Sequence, residues 1–201
     1  EHYVNVPTLA TDGIVFNRRI SPLDDIRVRR ALTMVIDQAH YVRDLLQDQA
    51  APALGGWIPP GLPGHSPDIG LPYDPAAARR IMAEAGYPDG FSVTLDCTND
   101  RYVNDEKICE AVAKYLAKVG LKVTLDVKPK SIFFDELSDF KHRFYLIGWF
   151  DGSFDFGRSA EKLLHTVDKD KGMGAYNGTQ YSNPEIDKMI IASSSIIDRA
   201  E

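Results

Sequence analysis

Two short stretches combine residue types that can hold a small polar molecule, and each follows an apolar run. Asn99-Asp100-Arg101-Tyr102-Val103-Asn104 comes after Phe91-Ser92-Val93-Thr94-Leu95. Gly148-Trp149-Phe150-Asp151-Gly152-Ser153-Phe154-Asp155 closes the run Phe144-Tyr145-Leu146-Ile147. Arg101 offers a planar fork of donors that matches a carboxylate. Trp149 offers a broad apolar face with one N–H donor. Asp151 and Asp155 offer negative charge. Each residue also has a plain structural reading. Arg101 can be a solvated loop charge beside Asp100 or Asp105, Trp149 a core residue, and Asp151 a solvated charge.

Patterns that would do covalent chemistry are missing from the sequence. The histidines at positions 2, 40, 65, 142 and 165 show neither HExxH nor i, i+4 ligand spacing. There is no nucleophile elbow, P-loop or GxGxxG, and no carboxylate pair spaced for acid/base work. Ser193, Ser194 and Ser195 read as the polar face of a helix. Asn177-Gly178-Thr179 fits a glycosylation acceptor and equally a turn. Cys97 and Cys109 match no zinc spacing. One bridge between them is open to an exported chain. A strand end against a helix interior favours buried free thiols instead.

The elements that must position the two stretches are legible from periodicity. Residues before Asn17 read as extended. Asp24 and Asp25 start a helix whose apolar face is Ile26, Ala31, Leu32, Val35 and Ile36, and Asp37 starts a second one. Residues 51–72 are rich in Pro and Gly, which excludes long regular structure. A loop of that length is functional or wrapped on a surface. Asp74-Pro75 is a cap followed by Pro at the first helical position, and Gly86 is the stop. Phe91–Leu95 is a strand, and Asn104 caps a helix over 105–119 with Ile108, Val112, Tyr115, Leu116 and Val119 on one stripe. Leu121–Val127 is a strand, Ser131 starts a short helix, and Phe144–Trp149 is a central strand. Residues from Asn183 to Glu201 read as a helix that runs to the end of the sequence. Strand, helix, strand, helix, strand over 91–149 predicts an α/β unit with right-handed crossovers. Such sheets bind ligands at the carboxyl ends of their strands, here Cys97–Val103 and Trp149–Asp155.

The bulk numbers are ordinary for a soluble globular protein, with 44% hydrophobic and 26% charged residues. The chain has 201 residues and a net charge of −6, which disfavours non-specific nucleic-acid binding. No apolar run reaches the roughly 20 residues needed to cross a bilayer. The first residue is Glu1 and no leader pattern is present, so a processed chain or an excised fragment is expected.

Four segments, in order, resemble the family 5 extracellular solute-binding proteins of ABC transporters, a group that includes dipeptide-, oligopeptide- and nickel-binding proteins. They are Pro22-Leu23-Asp24-Asp25-Ile26-Arg27-Val28-Arg29-Arg30-Ala31-Leu32 with Ile36-Asp37; Tyr73-Asp74-Pro75 with Met82-Ala83-Glu84-Ala85-Gly86-Tyr87-Pro88-Asp89-Gly90-Phe91; Tyr115-Leu116-Ala117-Lys118-Val119-Gly120-Leu121-Lys122-Val123; and Tyr181-Ser182-Asn183-Pro184-Glu185-Ile186-Asp187. Caps, helix starts and turns account for most of these residues, so they mark the family without marking the ligand.

The resemblance implies a periplasmic binding protein-like α/β lobe, with a mixed or parallel sheet flanked by helices. Residues 1–17 would be an extended inter-lobe or hinge segment. Residues 18–201 would form the larger, continuous lobe, with its last helix truncated. The expected function is the receptor of an ABC importer that captures peptides or a similar small polar solute between two lobes. It would work without a cofactor or metal, as a monomer, without nucleic acid, in the periplasm or lipid-anchored outside the membrane, serving a permease in the inner membrane. The alternatives are the sensor domain of a transcription regulator, or a receptor for an opine, a sugar or a nickel chelate. The ligand-binding candidates are Trp149, Phe150, Asp151, Gly152, Arg101 and Asn17. In peptide-binding relatives an Asp that follows the Gly-Trp pair holds the peptide's ammonium. Here that register falls on Gly152, and Asp151 is one residue early. Asn17 matches a hinge-region Asn, although it would also suit a turn before Arg18-Arg19.

Overall fold

Four strands form one sheet in the order β1-β4-β2-β3 in the computed structural model, which describes residues 10–53, 56–150, 152 and 156–196. The strands are β1 (Ala10–Phe16), β2 (Ser92–Thr98), β3 (Lys122–Lys128) and β4 (Phe144–Phe150). β2 runs parallel to both β3 and β4, whereas β1 pairs antiparallel with β4, so the sheet is mixed. Helices α4 (Asp105–Ala117) and α5 (Lys130–Ser138) make the two crossovers. The first nine residues of the expected hinge segment lie outside the described residues, and the remainder is chiefly the edge strand β1.

The helix starts follow local side-chain chemistry. Asp25 caps α1 (Ile26–Met34) by accepting from the Arg27 N–H at 2.8 Å. Asp37 caps α2 (Gln38–Leu46) through His40 N at 3.0 Å, and Asp74 caps α3 (Pro75–Glu84) through Ala77 N at 2.8 Å. Each bond satisfies a donor that the first helical turn leaves free. α4 departs from its predicted cap. Asn104 is in the left-handed region and its side chain caps nothing, while Asp105, the first helical residue, turns back to the preceding loop.

The core fills both faces of the sheet. On one face α1, α3 and α4 bury Val28, Ala31, Leu32, Met82, Val112 and Leu116 against Leu95, Phe144 and Leu146. Each such side chain contributes on the order of 1.5–3 kcal/mol when removed from water. Phe16 of β1 stacks on Phe144 of β4 at 5.1 Å. On the other face α5 buries Phe133 with Tyr145 and Ile147. Trp57, from the Pro/Gly-rich loop, joins this second cluster and packs against Gly13, where a Cβ would come within 2.8 Å of its ring.

Three sequence expectations change. Cys97 and Cys109 are bridged, with Cα atoms 6.7 Å apart. α4 folds back over β2, so its second turn meets the strand end, which linear spacing does not reveal. The last helix, α7, is Pro184–Ser193 with Asn183 as its cap, so it stops short of the expected Glu201. The hydroxyls of Ser193, Ser194 and Ser195 donate to the carbonyls three residues back, each at 2.7 Å, which competes with helix continuation. A further helix, α6 (Phe156–Leu163), was not anticipated. Asn177 is buried, and its amide bonds the carbonyls of His165 and Tyr181, so the turn reading holds there.

Candidate functional site

The carboxyl ends of β2 and β4 meet at one rim of the sheet. The loop after β2 carries Arg101 and Tyr102 and is pinned at both ends. The Cys97–Cys109 bridge spans it, and the buried carboxylate of Asp105 gathers it from inside. One Asp105 oxygen accepts from Thr98 Oγ1 at 2.7 Å, Arg101 N at 3.1 Å and Tyr102 N at 3.2 Å; the other accepts from Glu106 N at 3.0 Å. Burial opposes the charge of Asp105, but these four donors outweigh it and hold its pKa below the ordinary value. The sequence reading took Asp105 as the start of a helix. The short separation between Thr98 and Asp105 was the available signal.

The pinned loop lays Tyr102 over β4 at Gly148. A side chain at 148 would strike the ring, with a Cβ 2.6 Å from Tyr102 Cε1, and would also strike the carboxylate of Asp12. Asp12 sits on β1 directly opposite Gly148. The absence of a side chain at 148 is therefore what lets Asp12 and Tyr102 converge. Tyr102 Oη is buried without a well-formed hydrogen bond; burial raises the pKa of its hydroxyl, and the backbone N–H of Gly148 offsets part of that rise. Asp12 is solvent-exposed, although the residues around it desolvate its carboxylate in part. That desolvation raises its pKa, Arg101 pulls it back down, and Asp105 adds to the rise. Arg101 is exposed and stacks on Tyr102 with its guanidinium carbon 5.0 Å from the ring centroid. Among the described residues its guanidinium forms no ion pair.

The other candidates are distributed around this rim. Trp149 is half-buried on the opposite face of β4. Its indole N–H donates to Ser159 Oγ of α6 at 3.0 Å, and its ring meets Tyr176 edge-on at 5.4 Å. Phe150 is 57% exposed at the tip of the strand. Gly152 is exposed, and a Cβ there would meet nothing closer than 3.6 Å. Asp151 lies outside the described residues, as does Asp155. Asn17 is at the far end of β1, five residues and about 17 Å from Asp12. There its backbone N–H donates to Arg143 O at 2.8 Å and its amide to His142 O at 3.4 Å. The structure thus brings the loop that carries Arg101 to Gly148, through Tyr102, and leaves Asn17 elsewhere. Asp12 and Tyr102 were missed because only strand pairing brings them together.

Two further features border the site. A cavity of about 630 Å³ opens beside Asp12, between β1, α2, α4 and the Pro/Gly-rich loop. On the α5 face, Asp96, Glu136 and His142 point toward one another closely enough to suggest a metal. The cation there is the ammonium of Lys128, 2.7 Å from Glu136, 2.7 Å from Asp126 and 3.3 Å from Asp96. Burial works against its charge, but those three carboxylates more than restore it and raise its pKa. His142 completes the cluster, with Nδ1 at 3.2 Å from Asp96 and Nε2 at 2.9 Å from Phe133 O.

Comparison with known proteins sets this geometry in context. The chain is 27% identical over 205 residues to the glutathione-binding protein GsiB of Pectobacterium atrosepticum, covering 97% of this chain and 38% of that protein. Its fold matches the periplasmic binding protein DppA of Helicobacter pylori, solved with the peptide STSA, at a TM-score of 0.83 and 20% identity, over 96% of this chain and 37% of that one. It also matches MoaA of A. tumefaciens R10, solved with mannopinic acid, at a TM-score of 0.80 and 21% identity, over 96% and 40%. The chain therefore spans less than two fifths of the length of GsiB or DppA. The model of the middle part of the family matches residues 1–171, and the chain belongs to the bacterial extracellular solute-binding proteins, family 5.

Proposed function

We propose that this chain is the larger lobe of a two-lobe receptor that delivers peptides to an ABC importer. The observation that carries the reading is the rim at the carboxyl ends of β2 and β4. Among the described residues it presents a cation without an ion-pair partner and a buried hydroxyl without a well-formed hydrogen bond, both on the pinned loop, next to the exposed carboxylate of Asp12 on β1. A buried polar atom is nearly always satisfied within a protein, so the Tyr102 hydroxyl, with two exposed charges near it at a strand end, suits a ligand. A second lobe closing over the rim would supply the remaining contacts. Residues 1–17 would be the crossing segment, and Trp149, Phe150, Asp151, Gly152 and Arg101 would border the cleft. The work is binding, with no turnover, cofactor or nucleic acid. The receptor acts as a monomer in the periplasm, or anchored outside the membrane, and hands its cargo to a permease in the inner membrane. Among the described residues no helix is long and apolar enough to cross a membrane.

A second reading, an opine-type acid as cargo, is favoured by one observation. Gly152 carries no charge for an ammonium, while Arg101 is free to fork onto a carboxylate. A thermal-shift screen of the full-length protein separates the two, using peptides with free and acetylated amino termini, opines, sugars and hydroxy acids. A ligand at ~100 times its dissociation constant adds about 2.7 kcal/mol of stability. Shifts with free-amine peptides support the peptide reading. Shifts confined to opines or other acids replace it.

A further inference from the structure

We infer that Asp105 is a positioning residue for ligand binding: through the backbone of Arg101 and Tyr102 it sets the loop after β2 in its binding form before any ligand arrives. The inference rests on the receptor reading of the rim and names the residue that makes the rim rigid.

Asp105 is the first residue of α4, where a carboxylate ordinarily serves the free N–H groups of its own helix. Only one of its four donors, Glu106 N, belongs to that helix. Thr98 Oγ1, Arg101 N and Tyr102 N all precede it in the chain, and all three donate to one oxygen, Oδ2. The helix has its own start, since Ile108 N donates to Asn104 O at 2.8 Å. The carboxylate therefore serves the loop more than the helix. Asp105 is 4% exposed and Thr98 is fully buried, so water competes poorly for these bonds. Bonds to an ionised acceptor are about twice as strong as neutral ones.

Both bonded loop amides belong to residues whose side chains reach the rim. The Tyr102 ring lies over Gly148, and the Arg101 guanidinium stacks on that ring. Fixing two neighbouring N–H groups thus fixes both side chains. The ends of the loop are tied to other elements. Asp100 Oδ1 accepts from Lys130 N of α5 at 2.7 Å, and Asn104 Nδ2 donates to Leu45 O of α2 at 3.3 Å. Asp105 holds the middle. Asn104 has a left-handed φ of 58°, uncommon outside glycine, so the chain does not fall into this turn unaided. Ordering a loop at the moment of binding subtracts from affinity, and a loop ordered beforehand avoids that loss.

The test pairs amide hydrogen exchange with calorimetric titration on the full-length protein and its Asp105→Ala and Asp105→Asn variants. Met82→Ala, a core change between α1 and α3, serves as a variant destabilised elsewhere. The probes are Phe-Ala, trialanine and tetra-alanine. In ligand-free Asp105→Ala the amides of Arg101 and Tyr102 should exchange about tenfold faster or more, while those of β2 and β3 keep their protection. Affinity for the probes that wild type binds should fall about tenfold, with the loss in the binding entropy. Asp105→Asn keeps one acceptor oxygen and should stay within about threefold of wild type. Met82→Ala should melt at a lower temperature yet bind within about twofold of wild type. Unchanged exchange of the two amides overturns the clamp. Faster exchange with unchanged affinity overturns the binding role and leaves the receptor reading standing. An equal affinity loss in Met82→Ala overturns it as well, because the effect is then one of general stability. Failure of wild type to bind any probe overturns the peptide reading and the binding role with it. Where Asp105→Ala does not fold, Asp105→Asn decides the same outcomes.

Discussion

Two charged clusters are built on the sheet, and they are finished in opposite ways. Around Lys128, Asp96, Asp126 and Glu136 all reach the ammonium, and both ring nitrogens of His142 face oxygen acceptors. At the rim, among the described residues, Asp12 accepts no hydrogen bond, Tyr102 Oη makes no well-formed one, and Arg101 has only an aromatic ring. The first cluster is closed on itself and fastens β2, β3 and α5 together. The second leaves its polar groups open, which stabilises nothing in the empty protein. Closed charge clusters hold folds, whereas open ones at strand ends are arranged for something that arrives later.

The comparison makes its largest prediction at Lys128. Lys128→Met leaves three carboxylates facing one another around a side chain only 12% exposed. It should lower stability by about 3 kcal/mol, read as a fall in the urea midpoint. An unchanged midpoint would break the contrast between the clusters. Replacing Cys97 and Cys109 together by Ala opens a short loop and should cost about 2–3 kcal/mol in the same assay. Ligand affinity should fall as well, because the bridge spans the loop that carries Arg101 and Tyr102.

Smaller effects come from two aspartates whose pKa values move in opposite directions. Asp105 has a folded pKa below its unfolded one, so its stabilisation is present above about pH 4 and is lost as pH falls through the folded value. Asp105→Asn should cost about 1–2 kcal/mol at pH 7 and flatten the acid limb of the stability curve, measured as melting temperature against pH. Asp12 has a raised folded pKa, so its contribution is favourable below about pH 4 and is lost as pH rises through that value. Asp12→Asn should therefore raise the melting temperature of the ligand-free protein at pH 7, by about 1 °C in a calorimetric scan. The smallest effect is expected at Tyr102. Tyr102→Phe removes a hydroxyl that makes no well-formed hydrogen bond, so stability should stay within about 0.5 kcal/mol while peptide affinity falls about fivefold. A large loss of stability would place Tyr102 with the closed cluster.

The glycine-lined rim was only partly visible in the sequence. Arg101 and the Gly148-Trp149 pair stood out because each follows an apolar run, and strand ends are where such residues face solvent and ligand. Asp12 did not stand out, because within β1 it is one polar residue in a loosely alternating strand. Its importance comes from the pairing of β1 with β4, which sets it opposite a residue with no side chain. The Lys128 cluster was invisible for the same reason, since its members come from three elements. The Cys97–Cys109 bridge was misjudged because spacing along the chain says nothing of how α4 folds back over β2.

What the sequence determined by itself was whatever acts within a few residues. Asp25, Asp37, Asp74 and Asn183 start helices because a short polar side chain reaches a backbone N–H two or three positions on. The four ordered segments marked the family because those caps and turns recur in it. Tertiary structure decided the edge strand and its antiparallel register, the bridge, the helix α6, and the meeting of Asp12 with Tyr102 over Gly148. Those depend on which strand lies beside which, a choice made by burying both faces of the sheet at once rather than by any residue's neighbours in the chain.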